Sequence, residues 1–138
     1  MIVVPYQTLL GIEVVSAGGD TSVVRLRDRP DLHNSRGHVH GGAIASMLDT
    51  AVGTASAFVA EGRLPTATIN LMVTYLEPAI GDLTATAKVM RRGSRVVSVE
   101  AHVTDRDGKV CAHAVGTLRC LSSTPIAGPF VVSETETA

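Results

Sequence analysis

The chain reads Asn34-Ser-Arg-Gly-His-Val-His-Gly-Gly-Ala-Ile-Ala-Ser-Met-Leu-Asp49 where a polar loop passes into an apolar helix. Between Gly41 and Ala60, the only ionisable residue is Asp49. Glycine pairs occur where the backbone must come close to a ligand, and a helix N-terminus presents N–H groups to an anion. The stretch therefore predicts a site that combines a helix start, an upstream polar residue and one buried acid.

The predicted helix has two different faces on a 3.6-residue period. The apolar face is expected to pack on a sheet and consists of Ile44, Met47, Leu48, Ala51, Val52, Ala55, Phe58 and Val59. The small-residue face consists of Ala45, Ser46, Asp49, Thr50, Gly53, Thr54, Ser56 and Ala57. A solvated face would carry Lys, Glu and Arg, so we expect a second subunit or a ligand to approach this face closely. Residues 61–65 contain Gly and Pro and are predicted to end the helix.

Strand patterns lie on both sides of the helix. Residues 12–27 predict a first hairpin, and residues 66–121 predict four more strands: Thr66–Leu76, Leu83–Arg92, Val96–Thr104 and Lys109–Leu121. The short connections predict antiparallel neighbours joined by hairpins, hence a four-stranded meander. The fold class is therefore α+β, with the helix covering one sheet face. Residues 1–121 are expected to form a single domain, and residues 122–138 a loose C-terminal tail.

Composition excludes several classes of function. The net charge is -1, aromatic residues make up 3%, and no long basic run occurs, so we expect no binding to nucleic acid. No apolar run reaches the roughly 18 residues that span a bilayer, and the N-terminus lacks a basic signal region. We therefore expect a cytoplasmic protein that does not bind membranes. Cys111 and Cys120 are too far apart along one strand to form a disulfide bond, so two reduced core thiols are predicted.

The pattern Asn34-x6-Gly41-Gly42-x6-Asp49 resembles that of the hot-dog fold acyl-CoA thioesterases of the phenylacetate-pathway (PaaI) type. The similarity also includes Asn70–Pro78, Arg91–Arg95 and 107–112, and so covers nearly everything between Ile12 and Leu121. The resemblance implies a long helix wrapped by a curved antiparallel sheet. It also implies dimers joined edge to edge into one sheet, and often tetramers of two dimers. The active sites would then lie at the dimer interface.

The resemblance implies that the chain hydrolyses an acyl-CoA to a carboxylic acid and free CoA, without a metal or other cofactor. Asn34 and the Gly41 amide of one subunit would hold the thioester carbonyl. Asp49 of the other subunit would act as general base on water or attack as nucleophile. The N–H of Gly41 or Gly42 is favoured as oxyanion donor by the helix dipole. Thr68 would orient the water.

Residues around this motif are further candidates for contact with the substrate. His40 is expected to pack beside Gly41 and Gly42 and fix the loop. Arg92, Gly93 and Ser94 form, with Arg91, a basic turn that could meet the phosphates of CoA, although a solvated hairpin turn is an equal alternative. His38 and His40 form a His-x-His pair that can bind zinc, but no further ligands have suitable spacing, so no metal site is predicted. His38 has no assigned role.

Each candidate residue could instead serve the fold without taking part in catalysis. Asp49 could be a buried acid in an ion pair, Asn34 a turn residue, and Thr68 simply a good strand former. At the level of function, the alternative is a non-catalytic protein that binds acyl-CoA. A third hypothesis is a hydratase or dehydratase of acyl thioesters, in which a histidine and an acid transfer the proton.

Overall fold

The computed structural model describes residues 3–126. Within these residues, two helices, a short 3-10 turn at Pro30–Leu32 and eight strands follow one another. In chain order the helices and strands are α1 Pro5–Leu10, β1 Ile12–Gly18, β2 Thr21–Leu26, α2 Gly41–Ala57, β3 Phe58–Val59, β4 Gly62–Arg63, β5 Thr66–Tyr75, β6 Leu83–Arg92, β7 Val96–Thr104 and β8 Val110–Cys120.

Six of the strands form one antiparallel sheet, and α2 packs on one face of it. The helix residues that touch the sheet are the apolar ones predicted for this purpose, and all of them are buried: Ile44, Met47, Leu48, Ala51, Val52 and Ala55. Alternate residues of β7 point into the same core, namely Val97, Val99, Ala101 and Val103. The predicted α+β class and the hot-dog arrangement of one long helix on a sheet are therefore confirmed.

Close approach of α2 to the sheet depends on a glycine in β8. A Cβ atom built on Gly116 would lie 3.2 Å from Cγ2 of Val52. The helix is also tied to β2 by Ser22, whose buried hydroxyl donates to the carbonyl oxygen of Ala51 at 2.7 Å. A buried hydroxyl needs such a partner, so this bond fixes where α2 lies along the sheet.

The predicted four-stranded meander is wrong in one respect, the position of β5. The strand order is β1-β2-β6-β7-β8-β5, so only β6, β7 and β8 form a meander. The first hairpin takes the place beside β6, where Leu26 pairs with Leu83. Strand β5 instead lies at the far edge and pairs with β8. Residues 76–82 therefore do not close a hairpin but connect two strands that are not neighbours.

The predicted end of the helix is also corrected. Helix α2 stops at Ala57, and Phe58 and Val59 form the first strand of a small hairpin with β4. The N–H of Leu64 donates to the carbonyl oxygen of Ala57 at 2.7 Å, which turns the chain back at once. Phe and Val favour extended backbone, which explains the early end. Ser56, with an exposed fraction of 0%, is fully buried and does not belong to the open small-residue face.

Helix α1 is an element that the sequence interpretation missed. It begins with Pro5 and ends at Gly11, whose φ of 76° is left-handed, the usual arrangement of proline at the start and glycine at the end of a helix. The hydroxyl groups of Tyr6 and Ser46 lie 2.9 Å apart in a hydrogen bond. Part of the small-residue face of α2 is therefore approached by α1 of the same chain.

Both cysteines are free thiols, as predicted. Cys111 is buried, and burial, together with the charge of Asp105, raises the pKa of its thiol. Cys120 is only half-buried, so the prediction of a core position holds for Cys111 alone.

Beyond β8 the chain stays attached to the domain as far as the structure describes it. The backbone of Ile126 exchanges two hydrogen bonds with that of Arg63, at 2.7 and 2.9 Å. The rest of the predicted tail, residues 127–138, lies outside the described residues. Neither α1 nor α2 is long and apolar enough to cross a membrane, and no other helix occurs within residues 3–126.

Candidate active site

An open groove of about 840 Å³ runs along the small-residue face of α2. Helix α1 borders one side of it, and strands β1, β5 and β8 and the β3–β4 hairpin contribute to its wall. Residues from α2 line its length: Ala45, Ser46, Asp49, Thr50, Gly53, Thr54 and Ala57. The face that lacks long side chains is therefore the floor of a groove that a ligand can enter.

Asp49 and Thr68 meet in this groove. The hydroxyl of Thr68 donates to Oδ1 of Asp49 at 2.8 Å, and residues 3–126 provide no hydrogen bond to Oδ2. Asp49 is exposed in the single chain, contrary to the expected burial, because its face of α2 points away from the sheet. The carboxylate therefore has one oxygen held in place and the other open to the groove.

A separate cleft of about 350 Å³ contains Asn34 and Gly41. The side-chain oxygen of Asn34 accepts from the backbone N–H groups of Arg36 at 2.9 Å and His38 at 3.1 Å. These bonds shape the loop and account for an asparagine there. They also leave the side-chain NH2 of Asn34 as a donor to which no acceptor is assigned within residues 3–126.

At the start of α2, the backbone N–H groups of Gly41 and Gly42 have different environments. His40 is the N-cap, and its Nδ1 accepts from the N–H of Gly42 at 2.8 Å. A Cβ atom on Gly42 would lie only 3.0 Å from that nitrogen. The N–H of Gly41, by contrast, makes no hydrogen bond within the described part of the chain. The sequence alone did not decide whether Gly41 or Gly42 would be the oxyanion donor. The free N–H of Gly41 favours Gly41.

Tyr75, a residue that the sequence interpretation did not select, lies against this donor. Its hydroxyl donates to the carbonyl oxygen of Gly41 at 2.8 Å, and a Cβ atom on Gly41 would lie 3.2 Å from the ring. The ring is 53% exposed and lines the cleft. In the sequence Tyr75 looked like one more apolar position in an alternating strand. The alternating pattern of the strand carries no signal that its hydroxyl reaches the start of α2.

The two halves of the predicted site are far apart in one chain. Gly41 and Asp49 are eight residues apart on α2, which corresponds to about 12 Å at a rise of 1.5 Å per residue. Asp49 and Thr68 lie together in the groove, whereas Asn34 and Gly41 lie together in the cleft. One carbonyl group therefore cannot touch both halves of the same chain.

The basic turn lies outside both openings. Arg92 donates to the carbonyl oxygen of Ser56 at 3.0 Å and to Asp20 at 2.9 Å, so its guanidinium joins the end of α2 to the first hairpin. Gly93 is required by a close approach, because a Cβ atom there would lie 2.9 Å from the carbonyl oxygen of Val96. Ser94 is exposed. The contact of this turn with CoA stays a prediction.

His38 lies at the edge of the cleft, and its buried Nδ1 finds no partner within the described residues. The sequence analysis considered His38 and His40 as a pair of zinc ligands but predicted no metal site. Within residues 3–126, no three His, Cys, Asp or Glu side chains are placed to hold a metal ion.

Comparisons with a family model and with known proteins agree on one family of enzymes. Residues 36–112 match the model of the thioesterase superfamily. A candidate esterase from Halobacterium salinarum is 41% identical over 101 residues, which cover 70% of this chain and 67% of that protein. Human acyl-coenzyme A thioesterase 13 is 27% identical over 111 residues, which cover 78% of this chain and 79% of that protein.

Solved structures share the fold. The conserved protein PA5202 from Pseudomonas aeruginosa superposes with a TM-score of 0.81 at 32% identity, covering 86% of this chain and 95% of that one. The PaaI protein of Escherichia coli, from the phenylacetic acid degradation operon, superposes with a TM-score of 0.79 at 24% identity. That match covers 88% of this chain and 87% of that one. The second comparison concerns the fold alone.

Proposed function

This chain belongs to the thioesterase superfamily, and from that premise we propose that it hydrolyses acyl-CoA thioesters at a site shared by two copies of the chain. One copy supplies Asp49 and Thr68, and the other supplies Asn34 and the N–H of Gly41. The observation that carries this proposal is the separation of about 12 Å between Gly41 and Asp49 along α2, which no single substrate carbonyl can bridge.

The chemistry follows from what each half offers. As the thioester is attacked, negative charge develops on its oxygen, and the free N–H of Gly41 at a helix N-terminus stabilises that charge. The NH2 group of Asn34 is a second donor for the same carbonyl. Asp49 acts as general base on water or attacks the carbonyl carbon itself, while the Thr68 hydroxyl holds Oδ1 and so orients Oδ2.

Strand β5 provides a way to join the two halves. It is an edge strand, and its side chains Ile69 and Met72 are 60% and 67% exposed. Thr68 and Tyr75 lie near its opposite ends, beside the two half-sites. Antiparallel pairing of β5 with a second copy, centred between Leu71 and Met72, would bring Thr68 next to Tyr75 of that copy. Such an isologous dimer completes two sites at once, and a tetramer would contain two such dimers.

The nucleotide end of CoA is expected near the exposed turn at Gly93 and Ser94. Arg92 contributes to that turn indirectly, because its guanidinium is already bound to Ser56 and Asp20. We therefore expect an Arg92 substitution to lower stability as well as affinity for CoA.

The test is replacement of Asp49 by asparagine, followed by thiol release from a panel of acyl-CoAs. We expect kcat to fall by about 100-fold or more, since a positioned general base contributes that much. Asp107→Asn, an exposed acid in a turn, is the matched control and should behave as the wild type. An unchanged kcat in a folded Asp49→Asn oligomer would contradict the proposal. Tight acyl-CoA binding without thiol release by the wild type would instead indicate a binding protein.

A further inference from the structure

Among residues 3–126, one cationic side chain, that of Arg63, lines the same groove as Asp49. It is fixed in place by its backbone, which exchanges hydrogen bonds of 2.9 and 2.7 Å with Ile126 and pairs with Phe58 across the β3–β4 hairpin. Cross-strand partners point to the same side of a hairpin, so Phe58 and Arg63 face the groove together. Together they form its end beyond the C-terminus of α2.

The guanidinium of Arg63 has no carboxylate within 4.0 Å and no side-chain hydrogen bond among residues 3–126, although the residue is half-buried. Arg92, the other arginine near the end of α2, is bonded to Asp20 and to Ser56. Because the side chain of Arg63 lines the open groove, its guanidinium is available to a ligand, and the planar fork of a guanidinium matches a carboxylate. Arg63 is therefore placed to receive an anionic group from a ligand.

The position of that group follows from the geometry of α2. From Asp49 to Ala57, at the Arg63 end of the groove, the helix rises about 12 Å over eight residues. A ligand whose thioester is at Asp49 would thus reach Arg63 with the far end of a chain. The CoA phosphates fit this end less well, because they carry several charges and the groove offers one cation within the described residues.

We infer that Arg63 makes this groove selective for acyl groups that end in a carboxylate, so that the preferred substrates are CoA monothioesters of dicarboxylic acids. The inference rests on the proposed function, because it takes Asp49 as the position of the thioester. The rise of about 12 Å along α2 from Asp49 to the Arg63 end of the groove exceeds the roughly 8 Å over which exposed charges interact at physiological salt, so repulsion between the two carboxylates should be weak.

The test compares acyl-CoAs of equal length with and without a terminal carboxylate: adipoyl- with hexanoyl-CoA, suberoyl- with octanoyl-CoA, and sebacoyl- with decanoyl-CoA. We expect the wild type to have the higher kcat/KM for the carboxylated member of at least one pair. Arg63→Gln should lower that value about tenfold or more while changing the uncharged member little. Arg63→Lys should retain part of the preference, because it keeps the charge without the fork.

Arg119→Gln is the matched control, since Arg119 is exposed on β8 next to Leu118, which lines the groove, and points to the opposite side of the sheet. An equal loss for both members of each pair in Arg63→Gln would overturn the inference and indicate a contact with CoA. Absence of any preference in the wild type would overturn it too. If no acyl-CoA releases thiol, the proposed function fails, and dissociation constants for the same pairs by calorimetry still decide the selectivity. The melting temperature of each variant shows that it is folded.

Discussion

Replacing Thr68 by valine removes one hydroxyl from the groove and almost no volume. That hydroxyl donates to Oδ1 of Asp49 at 2.8 Å. A hydrogen bond to a charged group contributes about 1.5–3 kcal/mol, and both residues are exposed in the single chain, so the lower value applies. Since about 1.36 kcal/mol corresponds to a factor of ten in rate, we expect Thr68→Val to lower kcat/KM for acyl-CoA hydrolysis about tenfold.

The assay is continuous thiol release from a well-hydrolysed acyl-CoA, with the melting temperature measured in parallel. Thr68→Ser should restore most of the activity, because serine keeps the donor. Thr74→Val is the matched control, since Thr74 is exposed on the same strand and lines neither opening. A Thr68→Val protein with the activity of the wild type would refute the orienting role. A loss of equal size in Thr74→Val would refute it as well.

Two further predictions concern glycines. Gly116→Ala should lower the free energy of unfolding by about 1–3 kcal/mol, because the new methyl group would press on Val52 at 3.2 Å. Chemical denaturation measures this free energy. Adding Val52→Ala to the same chain should recover part of the loss. Gly41→Ala should cost less stability, because its backbone is helical and the exposed ring of Tyr75 can shift, but it should lower kcat/KM by displacing Tyr75 beside the oxyanion donor. Alanine keeps the backbone N–H, so full activity in a Gly41→Ala enzyme would show that the contact of Tyr75 with Gly41 is not needed for catalysis.

Local patterns in the sequence were sufficient to predict most of the fold. The apolar stripe of α2 and the bounds of β6 and β7 follow from periodicity, which depends only on neighbouring residues. The position of β5 could not be predicted in the same way, because it depends on which strand, distant in sequence, pairs with β6. The first hairpin does so through β2. Helix α1 had a local signal in Pro5 and Gly11, but six residues are too few to show a period.

For the candidate site too, some features could be predicted from the sequence and others required the structure. The spacing of Asn34, Gly41 and Asp49 predicted the residues, and the structure then places Thr68 on Asp49. The choice between Gly41 and Gly42 needed the side chain of His40, whose contact with one amide cannot be read from the order of residues. The exposure of Asp49 was also unexpected, since burial depends on what covers a face. In this chain alone the face is open.

The central claim is that each site takes Asp49 from one copy of the chain and Asn34 from another. Co-expression of Asp49→Ala and Asn34→Ala chains tests it directly, because a mixed dimer contains one site with both residues intact and one with neither. Each variant alone should be inactive. The mixture should regain about a quarter of the wild-type activity, since half of the dimers are mixed and each has one working site. A mixture no more active than the separate variants would contradict the shared site.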